Sequence, residues 1–257
     1  MMLTIITILA FLKASLNAPL TKFIGNKTGY VHTAVYIACL VASVFWITKL
    51  SLLEVFVWAV LSNLLVGYFV SGFQHRYCSH KSWQPNRFVE VLTVVLITFF
   101  LLTPCMGWAG IHRQHHKHTD TEKDPHGNVH SIFDNFMVFN NVPPVNMVPR
   151  WMIRDKLYLL QARWYWEFGI LSAAFMFAVG LGGFWASFIA VAYIFQVTLN
   201  IFGHLKKEPI NVPWLSIFYV GELYHKNHHD NPGKAQFGFF DSPYQFFIRF
   251  LDVRKNR

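Results

Sequence analysis

Residues 168–203 run for 36 consecutive positions without a charged side chain. As a single helix that run would be about 54 Å long at 1.5 Å per residue, against a bilayer hydrocarbon layer of about 30 Å. The Gly180-Leu181-Gly182-Gly183 stretch inside it predicts the turn of a helical hairpin. The first arm starts before Phe168, with Arg163 and Glu167 at the interface. Two further spans are predicted over 31–50 and 52–73, with Lys49 and Glu54 around their connection. Only 14% of the residues are charged and 54% are hydrophobic, whereas a soluble domain carries about 25% charged residues. These features predict an integral membrane protein. No Gly/Ser/Pro linker, internal repeat or low-complexity tract divides residues 1–257, so one domain is expected. The apolar run 1–12 is too short to span and lacks a basic start or a small-residue cleavage site. It is expected to lie in the interface, within an N-terminal segment 1–29 that precedes a core over 30–257.

Thirteen histidines are present, and nine of them form a pattern. Two lie in His75-Arg-Tyr-Cys-Ser-His80, three in His112-Arg-Gln-His115-His116 and three in His225-Lys-Asn-His228-His229; His204 follows Asn200 by four residues. Imidazole is a neutral ligand suited to iron, copper, zinc and nickel. One ion cannot accept nine nitrogens, so the number points to two ions close together. On an α-helix, positions four apart are about 40° apart in azimuth. His112 and His116 are therefore expected to share one ion while His115 faces the other, and His225 pairs with His229 while His228 points elsewhere. His75 and His80, five apart, differ by about 140° on an α-helix, which favours different ions. Asn200, one turn before His204, suits a group that holds a metal-bound water, and Asp124 and Glu222 suit carboxylates that orient imidazoles. His32, His118 and His130 have no clustered partner and are expected to be solvated or interfacial, and His126 is expected to be a loop residue or one that supports a ligand rather than a ligand itself. Cys39, Cys78 and Cys105 have no metal-site spacing and are expected to be unpaired thiols.

The shared centre constrains the topology. Residues 89–106 are apolar and long enough to cross, but a crossing would put His75 and His80 on the opposite side from His112, His115 and His116. The segment is therefore expected to lie on or dip into the membrane, broken by Pro104 and Gly107. Four spans result, with both termini on the histidine side. That side holds 21 of the 22 Lys and Arg residues and 12 of the 13 acidic ones, hence essentially all of the +9 net charge. Such asymmetry marks it as cytoplasmic, and it explains the basic charge without invoking nucleic acid. The fold expected is an all-α integral membrane protein with four transmembrane helices, a cytoplasmic histidine-rich cap and interfacial helices.

The order HxxxxH, HxxHH, NxxxH, HxxHH resembles the membrane fatty-acid desaturases, especially the acyl-CoA Δ9 (stearoyl-CoA) branch. The stretch from His112 to the Asp124-Pro125-His126 tail is similar to that branch's second histidine box. Gly221-Glu222-Leu-Tyr-His225-Lys-Asn-His-His is similar to its third, and Tyr158-Leu-Leu-Gln161-Ala-Arg163-Trp-Tyr to its entry into the third span. The resemblance covers about residues 30–252. It implies a di-iron centre and O2-dependent insertion of a cis double bond into a fatty-acyl chain. By motif position, one iron takes His75, His112, His116 and His228 with a water held by Asn200. The other takes His80, His115, His204, His225 and His229.

Two departures stand out. Leu223 and Tyr224 occupy positions where the family often has Gly and an aromatic residue. The basic, aromatic segment that follows the DPH tail in animal enzymes is replaced by Gly127-Asn-Val-His-Ser-Ile-Phe, which leaves open whether the acyl carrier is CoA, an acyl carrier protein or a lipid. No cytochrome b5 module is fused, so a separate ferredoxin or cytochrome b5 type of donor is expected at the basic face, with Lys206, Lys207, Lys226, Lys234 and Arg249 as contacts. A related membrane di-iron hydroxylase is the rival reading within the same chemistry. A haem or metal-transport protein fits less well, since transporters usually place polar ligands near the bilayer midplane.

Overall fold

A computed structural model of the chain describes residues 26–126, 135, 144–205 and 207–256. Residues 1–25 of the expected interfacial segment, His130 and Lys206 lie outside the described residues, and positions 26–29 already belong to the first helix. The long elements are α1 (Asn26–Ile47), α2 (Leu52–Val66), a π-helix that continues α2 (Gly67–Ser79), α3 (Arg87–Phe99), α4 (Cys105–His118), α6 (Lys156–Ala178) and α7 (Gly182–Gly203). Two short helices, α5 (Arg150–Arg154) and α8 (His225–Asp230), complete the parts used below. Among the described residues there is no strand, only an isolated bridge between Asn211 and Tyr224.

Each predicted span has its helix. The Lys49/Glu54 connection is closed by a capping box: the Ser51 hydroxyl accepts the Glu54 N–H and the Glu54 carboxylate accepts the Ser51 N–H at 2.8 Å. The predicted hairpin turns where expected. Gly180 sits at φ +77°, a conformation that penalises other residues. A Cβ on Gly183 would fall 2.1 Å from the Trp46 ring, so α7 packs along α1 only without a side chain there. Leu52–Ser79 and Gly182–Gly203 are long and apolar enough to cross a membrane. The outward faces are as oily as the interior: Phe45, Leu52, Phe56, Ile170 and Leu171 are all more than 60% exposed. Water penalises such a surface and lipid does not.

Residues 89–106 do not form one helix. α3 spans 13 residues, about 20 Å, and stops at Phe99. Leu101 then adopts φ +47°, and α4 begins after Pro104; Gly107, expected as a second breaker, lies inside α4. The break is held by neighbouring side chains. Ser172 Oγ and Trp185 Nε1 both donate to the Phe99 carbonyl, at 2.7 and 2.8 Å. Tyr36 donates to the Leu101 carbonyl at 3.2 Å, Gln74 to the Thr103 carbonyl at 2.5 Å, and Gln161 accepts the Cys105 N–H at 3.0 Å. Irregular backbone buried from solvent requires such partners, because each buried polar group left alone costs about 1–3 kcal/mol.

The π-helix decides where the first two histidines point. Hydrogen bonds five residues apart widen the turn to about 4.4 residues, so positions i and i+5 return to within about 50° of one another. His75 and His80 therefore share a face, with ring centroids 5.4 Å apart. The 140° separation expected of an α-helix does not occur.

Candidate metal centre

Nine imidazoles converge where the π-helix, α4, the end of α7 and α8 meet, and they form two groups. His75, His80, His112, His116 and His228 make one; His115, His204, His225 and His229 make the other. Imidazole nitrogens bound at right angles to one ion, each about 2.1 Å from it, lie about 3 Å apart. In the first group the Nε2 atoms of His75 and His228 are 2.8 Å apart, those of His80 and His112 2.9 Å, and those of His116 and His228 2.8 Å. In the second, His204 and His225 are 2.9 Å apart, and His229 is 3.2 Å from both His225 and His115. The rings of His116 and His229 stack at 4.3 Å and join the groups. Donor set and spacing fit two ions bound by nitrogen.

The pairing differs from the expected one at a single residue. His80 joins His75 rather than His115, and the cause is the π-helix. The groups therefore hold five and four imidazoles. Asn200 lines the cavity beside His225 and stands one turn before His204, on the helix that serves the four-imidazole group. It was expected with the His75 group.

Carboxylates hold the outer nitrogens. His75 Nδ1 donates to Glu222 at 2.7 Å, and His115 Nδ1 donates to Asp124 at 2.9 Å. Both residues were expected from the sequence. A third, Asp120, was not: it accepts from His204 Nδ1 at 2.8 Å. Asp120 lies four residues before Asp124 and takes φ +56°, while its N–H donates to Asp124 at 2.8 Å. Backbone strain of this kind concentrates where a side chain must be aimed. Each carboxylate fixes the proton on Nδ1 and leaves the Nε2 lone pair facing inward.

Buried Arg76 was also missed. It donates to Asp241 at 2.7 Å and to Glu222 at 3.1 Å, and lies 3.8 Å from the Phe237 ring centroid. It thus ties the third box to the chain that follows. One apolar-looking helix gave no hint that a cation would find two buried anions far along the sequence.

Electrostatics favour neutral ligands. Burial, then the neighbouring imidazoles, hold His112, His115, His225 and His228 well below the ordinary histidine range; burial and the same neighbours bring His116 down to about 3. Burial pushes Asp124 up. It would do the same to Glu222, but His75 and Arg76 outweigh it and hold that carboxyl below its usual range.

Among the described residues, His32, His118 and His126 lie outside the two groups. His126 is buried and stacks on His115 at 4.2 Å, with Asp124 beside it. His32 was expected to be solvated or interfacial and is instead buried against Tyr165 and Trp166, at 5.2 and 4.5 Å. The cysteines are unpaired, as expected, and all three are buried.

A narrow, mostly apolar cavity runs up to His75, His112 and His225, walled by Val70, Trp108, Phe195 and Leu199. Trp108 stacks on His112 at 5.0 Å and donates to Gln196 at 2.7 Å, which fixes the wall beside the first group.

The sn-1 stearoyl-lipid 9-desaturase of Synechocystis sp. is 27% identical over 182 residues, 64% of this chain, and the match spans 57% of that protein's length. The Delta-9 acyl-lipid desaturases 2 and 1 of Arabidopsis thaliana are 25% and 26% identical, over 71% and 77% of this chain and 67% and 74% of their own. The fatty acid desaturase family model matches residues 53–238, from α2 through all three histidine boxes. The chain belongs to the fatty acid desaturase family.

Proposed function

We propose that this chain is an O2-dependent desaturase that inserts a cis double bond into a fatty-acyl chain at a two-iron centre. The observation that carries the reading is the convergence of nine imidazoles into a five-plus-four set at the end of an apolar cavity. Two iron ions bound there would supply oxygen activation, with electrons from a separate ferredoxin or cytochrome b5 type of donor; water and the double bond are the products. The protein's own part is geometric. Asp120, Asp124 and Glu222 hold the Nδ1 protons, so that every oriented imidazole presents a lone pair. Val70, Trp108, Phe195 and Leu199 exclude water and hold the acyl methylenes beside the metal groups, a proximity effect. Asn200 is suited to hold a water beside the four-imidazole group.

The relatives are named for lipid-linked acyl groups, and the segment 127–133 lacks the basic character of CoA-using animal enzymes. Both favour a lipid-linked acyl substrate here. α1, α2 with its π-helix, α6 and α7 are the four membrane spans, the α3–α4 pair dips in without crossing, and the histidine cap and both termini face the cytoplasm. The test is expression in a host followed by mass-spectrometric mapping of its lipids. Acyl chains lighter by 2 mass units with one new double bond are expected; chains heavier by 16 would show hydroxylation, and unchanged lipids would overturn the reading.

A further inference from the structure

A second polar site lies apart from the histidines. An open groove is lined by Arg87, Arg113, Arg150, Arg154 and Lys156, with Trp151 and Asp155. None of these residues touches the cavity beside the metal groups. The anions at the groove are spent. Asp155 binds Arg87 through two hydrogen bonds, at 2.6 and 2.9 Å, and also caps Leu157. Glu90 accepts from Arg87 at 2.8 Å and from Tyr77 and Tyr158 at 2.7 Å. Arg150, Arg154 and Lys156 form no ion pair among the described residues, and Arg113 reaches only the Ser79 carbonyl. Four exposed cations therefore face one opening with no counter-charge among the described residues. Three are guanidiniums, whose planar forks match phosphate oxygens.

The surroundings say what carries the anion. α3 begins at Arg87 and α6 at Lys156, both at the groove, and the two helices pack side by side as they leave it. Their outer faces expose Phe88, Leu92 and Val95 on α3 and Phe168, Leu171 and Phe175 on α6, Phe88 to 76%. The site thus joins a cationic pocket to an apolar stripe along α3, with the exposed residues of α6 beginning farther along, twelve residues past Lys156. A free anion has no use for the stripe, and a nucleic acid has none either. An amphiphile with an anionic head fits both parts.

We propose that the groove binds the phosphodiester headgroup of an anionic membrane lipid, with its acyl chains laid along α3 and α6. The site is separate from the acyl cavity at the metal groups. It rests on the membrane placement of α3 and α6, not on the desaturation chemistry. A zwitterionic choline head is disfavoured because its ammonium would face the same cations.

Delipidated protein in neutral detergent provides the test, titrated with phosphatidylglycerol, phosphatidylcholine or inorganic phosphate, with binding read by native mass spectrometry and by melting temperature. Phosphatidylglycerol is expected to bind and raise the melting temperature, and the other two to do neither at the same concentration. Single variants Arg150→Gln and Arg154→Gln are expected to weaken phosphatidylglycerol binding about fivefold each, at about 1 kcal/mol per cation. Both should keep the wild-type iron content and the wild-type melting temperature in detergent alone, which separates loss of binding from loss of fold. Equal binding of phosphatidylcholine, an equal effect of inorganic phosphate, or undiminished binding by both variants would overturn the proposal. Lipid analysis of the expression host reads desaturation independently, so failure of the groove leaves that reading intact, and the converse.

Discussion

At the residue scale, the nine proposed ligands follow from side-chain chemistry, and the groups behind them follow only from the folded chain. HxxHH spacing announces His112, His115 and His116, while no spacing rule announces that Asp120 will turn through φ +56° to reach His204. Removing that charge is expected to weaken metal retention in the four-imidazole group by about 10–100-fold. Asp120→Asn keeps the size and Asp120→Gly relieves the backbone, so both should lose iron to a chelator faster than wild type, the glycine variant without losing melting temperature. Retention equal to wild type in both would show that the carboxylate does not position His204. The buried histidines also set a pH dependence. Imidazoles of the unfolded chain titrate near pH 6.5, whereas burial keeps His112, His115, His225 and His228 neutral far below that. Below about pH 6.5 the unfolded state therefore binds more protons, and stability present above that pH is lost as pH falls. The melting temperature of iron-depleted protein is expected to hold from about pH 8 to 7 and to drop between about pH 6.5 and 5; a rise on acidification would contradict this.

At the scale of elements, apolar run length and the glycine turn made the hairpin α6–α7 readable, because bilayer thickness and helical rise fix the arithmetic. The break in 89–106 was readable only through the demand that the histidine boxes meet. Its physical cause is the set of partners from α1, α6, α7 and the π-helix, which are distant in sequence. The π-helix was not readable at all. No residue type marks a turn of 4.4 residues, so an α-helical azimuth separates His80 from His75, where the fold groups them. Single cysteines at Lys81, after the π-helix, and at Lys117, at the end of α4, are expected to label from the same, cytoplasmic side in the otherwise cysteine-free protein. Labelling from opposite sides would mean that 89–106 crosses, and would separate the first two boxes.

Across the whole molecule, charge and apolar surface divide the labour between faces. On the proposed four-span topology the net charge of +9 resides almost wholly with the histidine cap, which would steer an acidic electron carrier toward it. Lys226 is already paired with Asp230 at 3.0 Å, in the open, where such a pair holds little energy and leaves the lysine able to exchange partners. Donor-dependent turnover is expected to fall as ionic strength rises through about 0.1 M, where the Debye length is about 10 Å, and to fall further in Lys226→Glu/Lys234→Glu. Turnover indifferent to both would exclude docking on this face. The centre itself is tested most directly by metal content and X-ray absorption. Wild-type protein is expected to hold two irons per chain with nitrogen and oxygen neighbours and no sulfur. His204→Ala with His225→Ala should retain one iron, held by the five-imidazole group with His80 among its ligands. A single iron in wild type, sulfur scattering, or loss of iron from His80→Ala equal to that from the four-imidazole group would contradict the five-plus-four centre.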